Sequence, residues 1–421
     1  MRHLVAASCR FPPVACGLLV LLALAVGSPS PAPHQPPRGI VQVASSEEPE
    51  QSLGERVNVA IDRGIEWLRA AQHEDGSWGP CISGGRYGSN VREERPCYIS
   101  GPTTFAMFTL ARCGISRKDA GMKKGLKWAR ERLITGMETG KLEGRSFASY
   151  EASSGILMLT ALYDEGKVVK PARLWTGKPA GSAFSKRDWT LLGDLVVHLV
   201  GQVEDGKKER PGCQARNGGW GYWLEGASAD VSATQFALLA LREATRAGFP
   251  VEQVAPKVWE QARSYVMDQQ LRDGGFRYDA EEPASGMVAA GTASLLILRE
   301  QLEEAGLAAA KEELDRAITR GLDACGTYFL PDRNLVPSKK DTDSYHYCHL
   351  YAIERAGSLA RKHLMGQRNW YAEGAQYLVN QQYEDGHWSD GTCMRPKDVL
   401  GTCFALLFLK RATRPAVITG G

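Results

Sequence analysis

Two kinds of apolar pattern alternate along the chain. In the first, apolar residues recur every three or four positions, as at Val57, Ile61, Ile65 and Leu68, and this period predicts an amphipathic helix with one buried face. In the second, nearly every residue is apolar or small, as in residues 234–241. A helix of that composition is buried on all sides. The alternation therefore predicts an all-α protein in which outer helices cover inner ones.

A short motif separates the two kinds of helix. It reads Gln, two residues, Asp or Asn, Gly, any residue and an aromatic, and it occurs at residues 72–78, 214–220, 270–276 and 382–388. Asp-Gly and Asn-Gly favour tight turns because both residues tolerate positive φ. The aromatic can anchor such a turn on the core. We therefore predict a mainly structural role for the four aromatics, Trp78, Trp220, Phe276 and Trp388.

The buried segment is repeated as well. Residues 402–409 match 234–241 almost position for position, and further copies lie at 103–110, 154–162, 292–298 and 346–353. The chain thus contains six helix pairs. A linear stack of pairs would expose an apolar edge at each end, and closure into a ring removes both edges. We predict an (α/α)6 toroid formed as a single domain by residues 54–414, with insertions at 167–188 and 202–213.

The N-terminus predicts export. Arg2 and Arg10 precede an apolar stretch at residues 14–26, and small residues follow up to Gly27. This order is typical of a cleaved secretory signal, with a short membrane anchor as the alternative. We expect residues 1–27 to be removed and the mature protein to be periplasmic or secreted. Residues 28–53 are rich in Pro and Ser, which indicates an extended linker.

Charge and cysteine content narrow the function classes. Lys and Arg number 51 and Asp and Glu number 48, a net charge of +3 without the basic excess of a nucleic-acid-binding protein. No apolar run reaches the roughly 20 residues of a membrane span. Cys81 and Cys97 flank a polar loop and are the preferred disulfide pair in an exported chain. Cys113 and Cys403 lie in apolar runs, which favours buried free thiols.

The Gln-x-x-Asp-Gly-x-Trp turns resemble the repeats of squalene and hopene cyclases and of protein prenyltransferase β subunits. The resemblance covers roughly residues 55–412 and extends to exported, uncharacterised members of that superfamily. It implies a toroid with a central cavity for an apolar or isoprenoid-type ligand. It implies less about activity, because these repeats mainly hold the toroid together.

The cyclase motif of that superfamily is degenerate here. Class II cyclases protonate an alkene with a carboxylic acid in the motif Asp-x-Asp-Asp-Thr-Ala, and the matching residues here are 230–235. Ser232 stands at the proton-donating position, and a hydroxyl group cannot protonate an alkene. Cyclisation by that mechanism is therefore disfavoured. Asp230 is a catalytic candidate, although capping of a helix N-terminus is the favoured role.

A second segment, Asp343–His349, resembles the histidine segment of the prenyltransferase zinc site. His346 and His349 are three residues apart and share one helical face, where they replace the Thr and Ala of other inner helices. The resemblance makes His346, His349 and Cys348 candidates for zinc, and Asp343 and His346 candidates for catalysis. The expected Asp-x-Cys partner is absent from residues 286–292. A polar patch at the toroid mouth is the alternative.

Three functions remain open. The first is binding of an apolar ligand below a rim whose helix N-termini suit an anionic head group. The aromatic residues that could line this cavity are Tyr98, Phe147, Tyr150, Tyr345 and Tyr347. The ligand-binding candidates are Tyr150, Tyr345, His346, His349 and Asp398. The second is a carbohydrate-active enzyme, which needs a carboxylate pair from among Glu151, Asp230, Asp343 and Asp398. The third is a protein-interaction scaffold with a filled centre.

Overall fold

The described part of the chain is mainly helical. The computed structural model describes residues 51–413 apart from segments 84–85, 88–89, 92–94, 143–144, 147–148, 205–207, 211–212, 216, 223–228, 278–284, 307–310, 336–344, 390–393 and 396. Its helices are α1 (Leu53–Ala70), α2 (Gly101–Arg112), α3 (Ala120–Thr139), α4 (Ser149–Leu162), α5 (Lys186–Val200), α6 (Val231–Arg246), α7 (Val251–Val254), α8 (Val258–Gln269), α9 (Ser285–Glu304), α10 (Lys311–Tyr328), α11 (His346–Ala360), α12 (Trp370–Gln381) and α13 (Lys397–Leu409). Within these residues no helix is long and apolar enough to span a membrane.

Six of these helices form a closed inner ring. Helices α2, α4, α6, α9, α11 and α13 each pack on the next, and α13 packs on α2. Helices α1, α3, α5, α8, α10 and α12 form the outer layer, each preceding its inner partner along the chain. The inner helices run in parallel: Glu151 at the start of α4 contacts Ser100 just before α2, and Arg112 at the end of α2 contacts Asp164 just after α4. The predicted (α/α)6 toroid is confirmed.

The turn motif joins the two layers as predicted. Trp78, Trp220 and Trp388 are at most 2% exposed, and Phe276 is fully buried. The indole N–H of Trp388 donates to the carbonyl of Leu378 at the end of the outer helix (2.7 Å), while its backbone N–H donates to the Thr402 hydroxyl on the inner helix (3.0 Å). Trp78 and Trp220 make the same pair of bonds within their own helix pairs.

The same motif closes the ring between the two ends of the domain. The Gln382 side chain donates to the carbonyl of Gly386 within its own turn and to the carbonyl of Ala60 in α1, both at 2.8 Å. Gly386 has a φ of +102°, and a Cβ there would lie 2.6 Å from the carbonyl oxygen of Arg63. Glycine is required because only it combines this conformation with so close a backbone approach.

Short strands are present that the apolar pattern does not predict. They occupy the loops before the inner helices: β1 (Cys81–Ser83), β2 (Arg86–Tyr87), β3 (Asn90–Val91), β4 (Arg95–Tyr98), β5 (Lys141–Leu142), β6 (Arg145–Ser146), β7 (Gln202–Glu204), β8 (Lys208–Arg210) and β9 (Met394–Arg395). Strands β4, β1 and β9 form one sheet, and the others pair as antiparallel hairpins. The side chains of Cys81 and Cys97 lie outside the described residues. Cys113 and Cys403 are free, and burial raises the pKa of each thiol to about 12.

Aromatic side chains of several inner helices, including the non-adjacent α2 and α6, meet at the centre of the ring. The ring of Phe105 lies 5.0 Å from that of Phe404 and 6.2 Å from that of Phe236, between centroids. The Arg355 guanidinium lies 4.0 Å from the Tyr351 ring centroid and 5.2 Å from that of Phe236. All five residues except Phe404 are at most 6% exposed. These side chains fill the middle of the described toroid.

Below the aromatics, a buried ion network spans the ring at the C-terminal ends of the inner helices. Arg112 of α2 pairs with Glu243 of α6 at 2.6 Å, and Arg242 pairs with Glu300 of α9 at 2.5 Å. Although burial opposes ionisation, Arg112 and Arg242 hold the pKa of Glu243 at about 2. The network supplies cations where the parallel helices end in negative partial charge.

Candidate binding site at the N-terminal rim

Tyrosines gather where the inner helices begin, an edge that we call the N-terminal rim. Tyr150, the second residue of α4, lies 5.6 Å from Tyr98 and from Tyr222 and 5.5 Å from Phe236, between ring centroids. The three tyrosines are half-buried. Burial raises the pKa of Tyr150 well above its ordinary value, so its hydroxyl stays protonated. We refer to Tyr98, Tyr150, Tyr222 and Phe236 as the rim aromatic cluster.

The hydroxyls of this cluster converge on Ser232. Its Oγ lies 2.8 Å from the Tyr150 hydroxyl and 3.4 Å from the Tyr222 hydroxyl, and it donates to Asp230 Oδ1 at 2.5 Å. The same Asp230 oxygen accepts the backbone N–H of Ala233 at 2.8 Å, so Asp230 caps α6 as predicted. Neutral hydroxyl groups thus surround Ser232, the position at which the sequence resemblance implies the proton donor.

A second carboxylate occupies the N-terminus of α2, and the sequence did not reveal it. One oxygen of Glu151 accepts the backbone N–H groups of Ile99 (2.9 Å) and Ser100 (2.8 Å) and the Ser100 hydroxyl (2.9 Å). Burial raises the pKa of Glu151 although these donors oppose it. In the sequence, the only sign of this contact was an acid in the first turn of an otherwise apolar helix.

These two carboxylates change the expected electrostatics of the rim. Helix N-termini attract anions through their unsatisfied N–H groups. A carboxylate already stands at the N-termini of both α2 and α6, because Glu151 accepts the N–H groups of Ile99 and Ser100 just before α2 and Asp230 accepts that of Ala233 in α6. This disfavours an anionic head group there. Two of the four acids considered for a carbohydrate-active site, Glu151 and Asp230, therefore bond to backbone N–H groups at helix N-termini. Of the other two, Asp398 lies partly exposed in the first turn of α13, and Asp343 lies outside the described residues.

His346 and His349 are buried, at 3% and 1% exposed, with ring centroids 5.9 Å apart. The His346 ring stacks edge-on against Tyr377 of the outer helix α12, and its Nε2 lies 3.0 Å from the carbonyl oxygen of Pro331. Among the residues that the structure describes, neither ring nitrogen of His349 has a hydrogen-bond partner, nor has Nδ1 of His346. Burial lowers the pKa of His346 to about 4 and that of His349 well below its ordinary value.

The residue of α11 that packs on Phe404 at the ring centre is Tyr351, at 6.1 Å between ring centroids.

The described residues do not form a metal site around the histidines. They contain no group of three or more His, Cys, Asp or Glu side chains that could hold a metal ion. Cys348, the third zinc candidate, is partly exposed, whereas both histidines are buried. Two imidazoles alone do not fit the three-ligand zinc site implied by the resemblance. The other aromatic candidates differ in exposure: Tyr345 is 38% exposed, Tyr347 is buried, and Phe147 lies outside the described residues.

Comparison with protein-family models and with curated protein sequences finds no match. Among solved structures, the type II terpene cyclase MstE from Scytonema is similar with a TM-score of 0.49 and 13% identity, over 85% of this chain and 99% of that one. A family 76 glycoside hydrolase from a bovine Bacteroides thetaiotaomicron strain has a TM-score of 0.44 and 9% identity, over 86% and 77%. At this degree of similarity neither protein identifies an activity or a ligand for this chain; its toroid architecture follows from the closed ring of helix pairs.

Proposed function

We propose that this protein is an exported toroid that binds an apolar, isoprenoid-type ligand at its N-terminal rim and does not cyclise it. The observation that carries the proposal is the rim aromatic cluster with its hydroxyls converging on Ser232. Ligand sites combine mostly apolar and aromatic walls with a few convergent polar groups. Tyrosine supplies both, through an apolar ring and a hydroxyl.

The same geometry favours a neutral polar end on the ligand. The hydroxyls of Tyr150, Tyr222 and Ser232 can donate to or accept from an alcohol. An anion would meet the carboxylate of Asp230 next to Ser232, and the α2 N-terminus is already occupied by Glu151. We therefore expect a long-chain isoprenoid alcohol to bind more tightly than the corresponding diphosphate.

The binding test uses two probes that differ only in that end. Titration of the mature protein with geranylgeraniol and with geranylgeranyl diphosphate, followed by intrinsic fluorescence, should show tighter binding of the alcohol. Tyr150→Phe should weaken alcohol binding about tenfold, as expected for one lost hydrogen bond. Tyr328→Phe, which removes a hydroxyl bonded to Asp273 elsewhere, is the control. No binding of the alcohol, or equal loss in both variants, would refute the proposal.

The export part of the proposal has its own test. N-terminal peptide mapping of the protein recovered from its producing cells should show a start near Gly27. Recovery of Met1 on the mature protein would contradict cleavage.

A non-catalytic protein-interaction scaffold is the second candidate, and the filled ring centre favours it. Phe105, Phe236, Tyr351 and Arg355 are buried against one another, so a ligand deep in the ring would have to displace them. A scaffold would bind neither isoprenoid probe, and Tyr150→Phe would leave its partner binding unchanged. The titration above therefore separates the two candidates.

A further inference from the structure

The turns at the other end of the toroid are basic. Because the inner helices are parallel, the turns after α2, α4, α11 and α13 share one edge, which we call the C-terminal rim. Each of the four turns carries an exposed lysine that makes no ion pair within the described part of the chain: Lys118, Lys170, Lys362 and Lys410. Of the acids in these four turns, Asp119 pairs with Arg69, Asp164 with Arg112 and Glu165 with Lys167.

The C-terminal rim also exposes aliphatic side chains. Six large hydrophobic residues of the described chain are exposed, and three of them, Val168 (55%), Leu174 (64%) and Leu364 (53%), lie in turns of this rim. Aliphatic side chains concentrated at one edge indicate an interaction surface, because isolated exposed residues would be scattered.

The segment that carries two of these residues is held against the ring. The backbone N–H of Val169 donates to the carbonyl of Arg246 (3.0 Å), and that of Ala172 donates to the carbonyl of Gly248 (2.8 Å), both at the end of α6. Trp175 packs beside Gly193 of α5. Val168 and Leu174 therefore project from a fixed backbone, which lowers the entropy lost on binding.

We propose that the C-terminal rim docks on an anionic phospholipid surface. Unpaired lysines are attracted to anionic lipid head groups, and aliphatic side chains among them can enter the interface between head groups and acyl chains. The combination of both on one edge favours a lipid surface over an acidic protein or polysaccharide, for which protruding Val168, Leu174 and Leu364 would have no use. The inference is independent of the proposed ligand site at the opposite rim.

The test is sedimentation of the mature protein with lipid vesicles. Binding to vesicles of phosphatidylcholine mixed with phosphatidylglycerol is expected, with little binding to phosphatidylcholine alone and weaker binding at high salt. Neutralising the four rim lysines to Gln should reduce partitioning on the order of 100-fold or more, at roughly fivefold per lysine. Changing Val168, Leu174 and Leu364 to Ser should also reduce it, without altering the salt dependence.

A matched control removes the same charge elsewhere. Four exposed cationic residues lie outside the C-terminal rim: Lys127, Lys141, Arg272 and Arg277. Changing them to Gln should leave partitioning within about fivefold of the unmodified protein, which is the effect expected for a single rim lysine. Val59→Ser, on α1, is the control for the aliphatic variant. Circular dichroism checks that each variant is folded. No binding to the anionic vesicles, or equal loss in the rim and control variants, would overturn the proposal.

Discussion

Replacing the buried His349 with leucine should stabilise the protein. A neutral imidazole carries one donor and one acceptor, and neither nitrogen of His349 has a partner within the described part of the chain although the side chain is 1% exposed. Leaving a buried polar group unsatisfied costs about 1–3 kcal/mol, and an apolar replacement removes that penalty. The change of shape is expected to cost up to about 1.5 kcal/mol, so we expect a net gain of about 1 kcal/mol.

The matched comparison is His346→Leu, three residues earlier on the same helix. There the replacement removes the hydrogen bond to the Pro331 carbonyl and the edge contact with Tyr377, so the free energy of unfolding should fall by about 1–2 kcal/mol. Urea unfolding at neutral pH, followed by tryptophan fluorescence, measures both variants. Opposite signs are expected. A loss of stability in His349→Leu comparable to that in His346→Leu would show that His349 has a partner, and would reopen the question of a bound ion or ligand there.

Three further predictions concern stability. Because burial lowers the pKa of His346 from 6.5 to about 4, the unfolded chain binds a proton at this residue in that pH window, and His346 should contribute about 3 kcal/mol to the loss of stability between pH 6.5 and 4. Urea unfolding of His346→Gln across that range should show a loss smaller by about that amount, while the share due to His349, whose pKa burial also lowers, remains. Trp388→Ala should cost about 3–5 kcal/mol in thermal or urea unfolding, whereas Tyr383→Ala, at a 52% exposed side chain, should cost much less. Glu243→Gln should lower the free energy of unfolding by about 3–5 kcal/mol, because the buried Arg112 and Arg242 lose their shared partner. Glu312→Gln, which removes one partner of an exposed pair, should change the free energy of unfolding by less than about 1 kcal/mol in the same measurement.

The toroid could be predicted because its determinants are local and repeated. Each turn motif fixes a bend, an aromatic anchor and a bond to the next outer helix within seven residues, as Gln72 and Trp78 show. Six pairs of helices with different outer and inner composition then leave ring closure as the arrangement without exposed edges. The bond from Gln382 to Ala60 realises this closure.

The filled centre could not be predicted, for a physical reason. The inner helices are apolar on every side, so their sequences carry no period that separates residues facing the ring centre from those facing the outer layer. Phe105 and Phe108 look alike in the sequence, although only Phe105 contacts Phe236 of the non-adjacent helix α6 and Phe404 of α13 at the ring centre. The charged residues were a usable signal: Arg242 and Glu243 sit within a buried run, where charges persist only when paired.

The sequence predicted a rim that suits an anionic head group, and contacts between residues distant in the chain argue against that prediction. Helix N-termini are anion sites only while their N–H groups lack partners, and whether they do depends on side chains far away in sequence. Asp230 could be predicted as a cap because it immediately precedes α6. Glu151 caps a helix that begins 50 residues earlier in the chain, so only the packing of α4 on α2 reveals it.

The two rims of the toroid differ in chemistry, and the filled centre separates them. The N-terminal rim offers aromatic rings and neutral hydroxyls around Ser232, while the C-terminal rim offers exposed lysines with no ion pair among the described residues and protruding aliphatic side chains. Between them lie the buried aromatics and the ion network from Arg112 to Glu300. Moving a ligand through that layer would break ion pairs whose loss costs several kcal/mol. A ligand of the N-terminal rim must therefore enter from the side facing away from a membrane bound at the other rim, and the two sites can be removed independently by substitution.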